Sequence, residues 1–140
     1  MILYLDTSAL VKLYVTEEGS AGVRLRLRRA ERVATSWLAY PEARAALARR
    51  AREKGLTAAG RDLAARALDR DLGAFLLLGL GPAIARDAGK LAERYGLRGA
   101  DSVHLASALE LRELTGEPVT FVSFDARQQA AALAEGLAEA

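Results

Sequence analysis

Four carboxylates in this chain sit where chemistry is expected. Asp6 closes the apolar run "LYLD", and Asp125 closes "FVSFD". Glu42 lies in "SWLAYPEARAALARRAREKG", and Asp101 lies near the start of "ADSVHLASALELREL". Taken singly, each has an ordinary explanation. Asp101 suits the first turn of a helix, where the dipole favours an acid. Asp125 suits a turn or cap, and Glu42 a solvated helix face. Asp6 is harder to explain as a cap, because Thr7 and Ser8 are good caps too. Independent capping does not require two strands to end in aspartate. Carboxylates that converge repel one another and drift toward the neutral form unless something positive sits among them. Mg²⁺ or Mn²⁺ prefers such oxygen ligands. A hard divalent cation lowers the pKa of a bound water and neutralises charge on a phosphate, and paired ions can clamp the attacking and leaving oxygens. The pattern therefore points to phosphodiester hydrolysis, which needs no lysine, histidine or serine nucleophile.

Competing chemistries find less support. The chain has no cysteine, which removes disulfides, thiolate metal sites and cysteine nucleophiles. It has no G-x-S-x-G elbow and no Walker loop. "GLGPAI" begins like a dinucleotide fingerprint but has Ile84 where the third glycine belongs. An aspartyl-nucleophile phosphatase would want an acid two residues after Asp6, and Ser8 stands there. His104 is the only histidine. It falls three residues after Asp101 on a similar helix face and reads as a packing residue rather than a base.

These acids must be positioned by the elements around them. Residues 2–5 read as a short buried strand, followed by helical spacing over 8–15. A second helix covers about 20–30. Residues 32–36 form a strand, with Ser36 available as a cap for the next helix. That helix starts near Pro41 and ends at Gly55. Another runs from Thr57 to about Asp71. "AFLLLGLGP", 74–82, is either a buried strand or a helix end, since short apolar runs do not decide. Gly81-Pro82 starts a helix through about Tyr95, and Gly96 stops it. The helix from Ala100 ends at Gly116. "VTFVSF", 119–124, is the clearest strand, and a last helix follows Asp125. The tail is read as a weak final strand.

Short apolar strands alternating with helices predict an α/β domain with a parallel sheet. At 140 residues, 51% of them hydrophobic and 27% charged, one globular domain over 1–140 is expected. No apolar run approaches a membrane span, and no signal peptide is read at the N-terminus, so a cytoplasmic protein with no membrane partner is expected. In a parallel sheet the carboxyl ends of the strands share the edge where α/β proteins bind ligands. Asp6 and Asp125 belong to that edge. Glu42, soon after the strand at 32–36, emerges there too. Asp101 joins them if its helix begins at the same edge.

In this order and spacing, "LYLDTSALVKLY", the glutamate of "SWLAYPEARAALAR", "GADSVHLASAL" and "VTFVSFD" resemble PIN-domain ribonucleases. The match is to the VapC type, the toxin half of VapBC toxin–antitoxin pairs, and it covers nearly the whole chain. The resemblance implies a three-layer α/β/α fold around a parallel sheet of about five strands. It implies a Mg²⁺- or Mn²⁺-dependent endoribonuclease that cuts single-stranded or looped RNA. Asp6, Glu42 and Asp101 match the core acids, and Asp125 the fourth. Ser8 matches a small hydroxyl residue that supports Asp6 or a metal water. Ser123 stands where the family often has threonine. A homodimer and a VapB-like antitoxin whose tail blocks the site are implied as well. Leu10, Leu13, Tyr14 and Trp37 could belong to the antitoxin groove or to the core; for Leu10 and Leu13 the core is the preferred reading. Two alternatives stay open: an RNA-processing PIN nuclease without an antitoxin, and an inactive PIN-fold binding module.

The charge balance fits this picture. Net charge is only +2, from 20 basic and 18 acidic residues. Setting the four acids aside leaves a basic surround for an acidic pit, which is what a nuclease needs to hold phosphates. "RLRLRRAER" and "ARRAREK" are the candidate segments, with Arg49 and Arg127 as candidate RNA contacts. Arg49, Arg50 and Arg52 share a helix with Glu42, and only some are expected to face the site.

Overall fold

The computed structural model describes residues 1–138. Its centre is β1, Ile2–Leu5, a strand buried along its whole length. Side chains alternate across a strand, so β1 needs apolar partners on both faces. Ile2 and Tyr4 enter one cluster, with Leu105, Leu111 and Phe121. Leu3 and Leu5 enter the other, with Leu10, Val23 and Leu68. This is why a four-residue run with no polar member can form the middle of the molecule.

β1 pairs in parallel with β2, Arg32–Ser36, on one side and with β4, Val119–Val122, on the other. β2 pairs in parallel with β3, Leu76–Leu78. The sheet order is β3-β2-β1-β4. The ambiguous 74–82 segment is thus a short strand, and its ladder to β2 decides what periodicity could not. Sequence predicts about five strands; four form the sheet. The expected strand in the tail reduces to one parallel bridge between Thr120 and Ala138, and residues 139–140 lie outside the described part.

Helices cover both faces. α1 (Thr7–Val11), α2 (Ser20–Arg29), α3 (Ala39–Arg52) and α4 (Ala58–Leu72) contribute to the cluster around Leu3 and Leu5. α5 (Pro82–Tyr95), α6 (Gly99–Thr115) and α7 (Ala126–Ala134) contribute to the cluster around Ile2 and Tyr4. The result is the predicted three-layer α/β/α arrangement. Pro41 falls in the first turn of α3, where its missing N–H costs nothing. α1 is shorter than the expected 8–15 helix. Leu13 and Tyr14 donate to the carbonyls three residues back, Leu10 and Val11, so the chain tightens into turns. Leu10 is buried and Leu13 half-buried, as expected of core residues, whereas Trp37 is exposed. The Tyr14 hydroxyl donates to Asp71 Oδ2 at 3.0 Å.

Candidate functional site

The register sets the geometry. Leu5 is level with Val122, so β1 and β4 end together, and the Asp6 N–H donates to the Val122 carbonyl at 3.2 Å. Glu42 lies in the first turn of α3, just past the end of β2. Asp101 lies in the first turn of α6. All four acids line one cleft of about 620 Å³ at the carboxyl edge of the sheet. Thr7, Ser8, Lys12, Arg49, Arg50, Arg52, Arg98, His104 and Phe124 line it as well. The three arginines at the end of α3 therefore all reach the cleft, more than expected.

Asp6 is only 3% exposed. It is also a cap, contrary to the sequence argument. Its Oδ1 accepts from the Ala9 N–H at 2.9 Å and from the Ser8 hydroxyl at 2.7 Å. The hydroxyl expected to compete with Asp6 as a cap instead supports it. Both bonds fall on one oxygen, so capping and site chemistry are compatible in one carboxylate. Burial pushes the Asp6 carboxyl above its usual range, against the pull of nearby hydroxyls, the Ala9 N–H and the His104 ring. Of the two nearby serines, Ser8 supplies the hydrogen bond, since Ser123 directs its one proton to Gln128 Oε1 at 3.1 Å. The Ser123 oxygen accepts from the Asp125 N–H at 3.0 Å. Asp125 caps α7 by accepting from the Gln128 N–H at 2.9 Å.

Glu42 is held by a chain of hydrogen bonds that begins in the core. Tyr4 Oη lies 3.0 Å from His104 Nδ1, and His104 Nε2 lies 3.0 Å from Thr7 Oγ1. The Thr7 hydroxyl donates to Glu42 Oε1 at 2.6 Å. One assignment of protons satisfies every member: Tyr4 donates to Nδ1, Nε2–H donates to Thr7, and Thr7 donates to Glu42. His104 Nε2 is also 3.4 Å from Glu42 Oε1. The His104 contact and the Thr7 hydroxyl together hold the Glu42 carboxyl below its usual range despite its partial burial. His104 is 2% exposed and packs edge-on against Tyr4. The packing role read from sequence holds, but the polar role was missed. Tyr4 and Thr7 sit about a hundred positions away in the chain, where spacing carries no signal.

Asp101 Oδ2 accepts from Arg98 Nε at 3.0 Å, a pair at i, i+3 spacing whose signal is local in the sequence. The Asp101 carbonyl accepts from Gln128 Nε2 at 3.0 Å, which ties α6 to α7 behind the site. Arg127 is not brought to the cleft. Its guanidinium donates to the Gly96 carbonyl at 3.1 Å, at the α5–α6 corner.

Among the described residues, no three carboxylate or imidazole groups already converge into a ready-made ion-binding set. Asp101 is turned to Arg98, and Glu42 to Thr7. The donor chemistry nonetheless suits a hard divalent cation: carboxylate oxygens with no sulfur, on one polar cleft. Such an ion would have to draw Asp101 away from Arg98.

A second acid–base cluster also lines the cleft. Glu17 accepts from Lys12 Nζ at 3.1 Å and from Arg50 Nη2 at 3.0 Å on each oxygen. Lys12 Nζ also donates to the Glu18 carbonyl at 2.8 Å and sits 4.5 Å from the centre of the Phe124 ring.

Comparison with known proteins follows this geometry. The PIN domain family model matches residues 3–134. The chain is 40% identical over 136 residues to Ribonuclease VapC45 of Mycobacterium tuberculosis, covering 96% of this chain and 92% of that one. The structure of VapC20 from Mycobacterium tuberculosis, a sarcin-ricin loop cleaving toxin, matches with a TM-score of 0.70 at 19% identity, covering 99% of this chain and 98% of that one. A toxin–antitoxin complex from Klebsiella pneumoniae matches with a TM-score of 0.60 at 16% identity, covering 88% of each chain. The last two show a shared fold.

Proposed function

From the premise that this chain belongs to the PIN-domain family, and within it to the VapC group, we propose that it is a divalent-metal-dependent endoribonuclease. The observation that carries this reading is the cleft itself, with Asp6, Glu42, Asp101 and Asp125 on its wall and Arg49, Arg50, Arg52 and Arg98 around them. Asp6, Glu42, Asp101 and Asp125 would hold Mg²⁺ or Mn²⁺. When bound, the ion supplies a lowered pKa for a water and neutralises charge on the phosphate.

The chain's own residues do the rest. Ser8 and the Ala9 N–H fix the rotamer of Asp6. Thr7, backed by His104 and Tyr4, fixes Glu42. Arg98 holds Asp101, and its exposed guanidinium would be available to a phosphate once Asp101 served as a ligand. Arg49 and its neighbours on α3 attract the RNA backbone without reading sequence. Arg127, paired to Gly96, is not needed for this.

Asp101→Asn tests the assignment. It removes one ligand charge from a pair in which Arg98 is exposed and Asp101 is not, and the fold should be retained. Mn²⁺-dependent cleavage of single-stranded RNA should be abolished while thermal unfolding is retained. Undiminished cleavage by that variant overturns the reading.

The VapC likeness extends the proposal to a toxin that forms a homodimer and is blocked by a VapB-like antitoxin. Co-expression with the product of the neighbouring reading frame tests it. A small protein with a DNA-binding N-terminus that co-purifies and inhibits cleavage is the expected result. Cleavage that the neighbour leaves unaffected argues for an RNA-processing role instead.

A further inference from the structure

Between Ser123 and Asp125 the chain places an aromatic ring. Phe124 is 48% exposed and lines the same cleft as the acids. A large apolar ring in water is unfavourable by roughly 25 cal/mol for each Å² left uncovered. This ring is also held in place. Its backbone N–H donates to Ser8 Oγ at 3.1 Å, the same hydroxyl that donates to Asp6. Lys12 Nζ lies over the ring, and Lys12 is anchored by Glu17 and the Glu18 carbonyl. Gly19 backs the ring edge. At φ +89° it takes a left-handed conformation that side chains rarely adopt, and a Cβ there would lie 2.6 Å from Phe124 Cε1.

The ring's surroundings say what it suits. A protein partner would call for a contiguous apolar patch. Here Phe124 shares the cleft with Lys12, Glu17, Arg50 and the site acids, and its apolar company there among the described residues is limited to Val11, Ala45 and Ala46. A fixed aromatic face among cations matches a nucleotide: the ring for a base and the cations for the phosphates beside it. Bases in a duplex are already stacked on their neighbours, so the surface suits an unpaired base.

We infer that Phe124 is a stacking platform for an unpaired RNA base next to the cleavage site, with Lys12 taking an adjoining phosphate. This deepens the ribonuclease reading and rests on it for the identity of the ligand. Gly19 belongs to the platform as the residue that lets the ring settle.

The test uses the full-length protein in EDTA and a short mixed-sequence single-stranded RNA carrying 2-aminopurine. Binding to the wild type should quench the 2-aminopurine fluorescence. Phe124→Ala should abolish the quenching and weaken binding roughly tenfold. Phe124→Leu, which keeps the apolar bulk but not the π-face, should behave like the alanine variant. Phe124→Trp should bind and quench like the wild type. Thermal unfolding is followed for each, and the tryptophan variant and the wild-type quenching carry the test if the alanine variant unfolds. Wild-type RNA affinity in Phe124→Ala overturns the inference. So does full quenching by Phe124→Leu, or no quenching by the wild type. Loss of a co-expressed protein partner with unchanged RNA affinity would give the ring to a protein contact and also overturns it. Cleavage in Mn²⁺ is assayed in parallel. Wild-type cleavage with unaltered binding by Phe124→Ala refutes the platform alone, whereas no cleavage by the wild type refutes the ribonuclease reading.

Discussion

Glu17→Gln should move stability and RNA binding in opposite directions. Glu17 joins the turn after α1 to α3 through Lys12 and Arg50, with side chains 27%, 14% and 27% exposed. Fully exposed pairs are worth about 0.2–1 kcal/mol, and breaking a buried pair costs about 3–5 kcal/mol. This cluster lies between those limits, and glutamine keeps one acceptor oxygen, so a loss of about 1–2 kcal/mol is expected. For a chain of this size that is a fall in Tm of about 5 °C. Burial pushes the Glu17 carboxyl up, but the Lys12 and Arg50 contacts outweigh it and hold it below its usual range. A carboxylate lowered in the folded state stabilises above its unfolded pKa, and that stability is lost as pH falls through the folded value. The gap between wild type and variant should therefore be full at neutral pH and close on acidification below the ordinary glutamate range. Meanwhile Lys12 and Arg50 lose their counter-charge inside the cleft. RNA binding should tighten at low salt, and the slope of log K against log salt should steepen by about 0.7 for each cation that reaches a phosphate. Urea denaturation between pH 3 and pH 7, with RNA titrations at several salt concentrations, reads both effects. Weaker RNA binding at low salt, or a stability gap that persists unchanged at low pH, would refute the reasoning.

His104→Ala should cost about 3 kcal/mol in urea denaturation, because it opens a cavity and removes the ring nitrogen that pairs with the buried Tyr4 hydroxyl. Adding Tyr4→Phe to it should recover about 1 kcal/mol, and no recovery would mean that the hydroxyl finds another partner. Gly19→Ala should destabilise by about 1 kcal/mol or more from its backbone conformation, and it should also weaken 2-aminopurine quenching by displacing Phe124. Destabilisation with quenching intact would separate the glycine from the platform.

What the sequence revealed depended on how local the signal was. β1 and β4 were legible as apolar runs with clear ends, and β2, "RVATS", as a short β-branched stretch just before a helix. β3 was not, since its strand character comes from its ladder to β2 and not from the residues of "LLL" themselves. That four acids line one cleft was legible from strand ends and parallel topology. Their individual partners were not. The link from Tyr4 through His104 and Thr7 to Glu42 joins three distant segments. The argument that Thr7 and Ser8 made Asp6 superfluous as a cap failed for a physical reason. A carboxylate can accept two bonds on one oxygen, so Ser8 assists Asp6 instead of replacing it. Arg127 was read as a candidate RNA contact. Its place on α7 points it to the α5–α6 corner instead.

The parallel pairing of β1 with β4 has a consequence for synthesis. Residues 2–5 wait unpaired on that side until residues 119–122 exist. Asp6 and Asp125 therefore cannot share a cleft on a growing chain, however far its earlier helices have formed. Long-range pairing of this kind also folds slowly. The order in which the polypeptide emerges therefore delays the assembly of this acidic edge until residue 125 has been made.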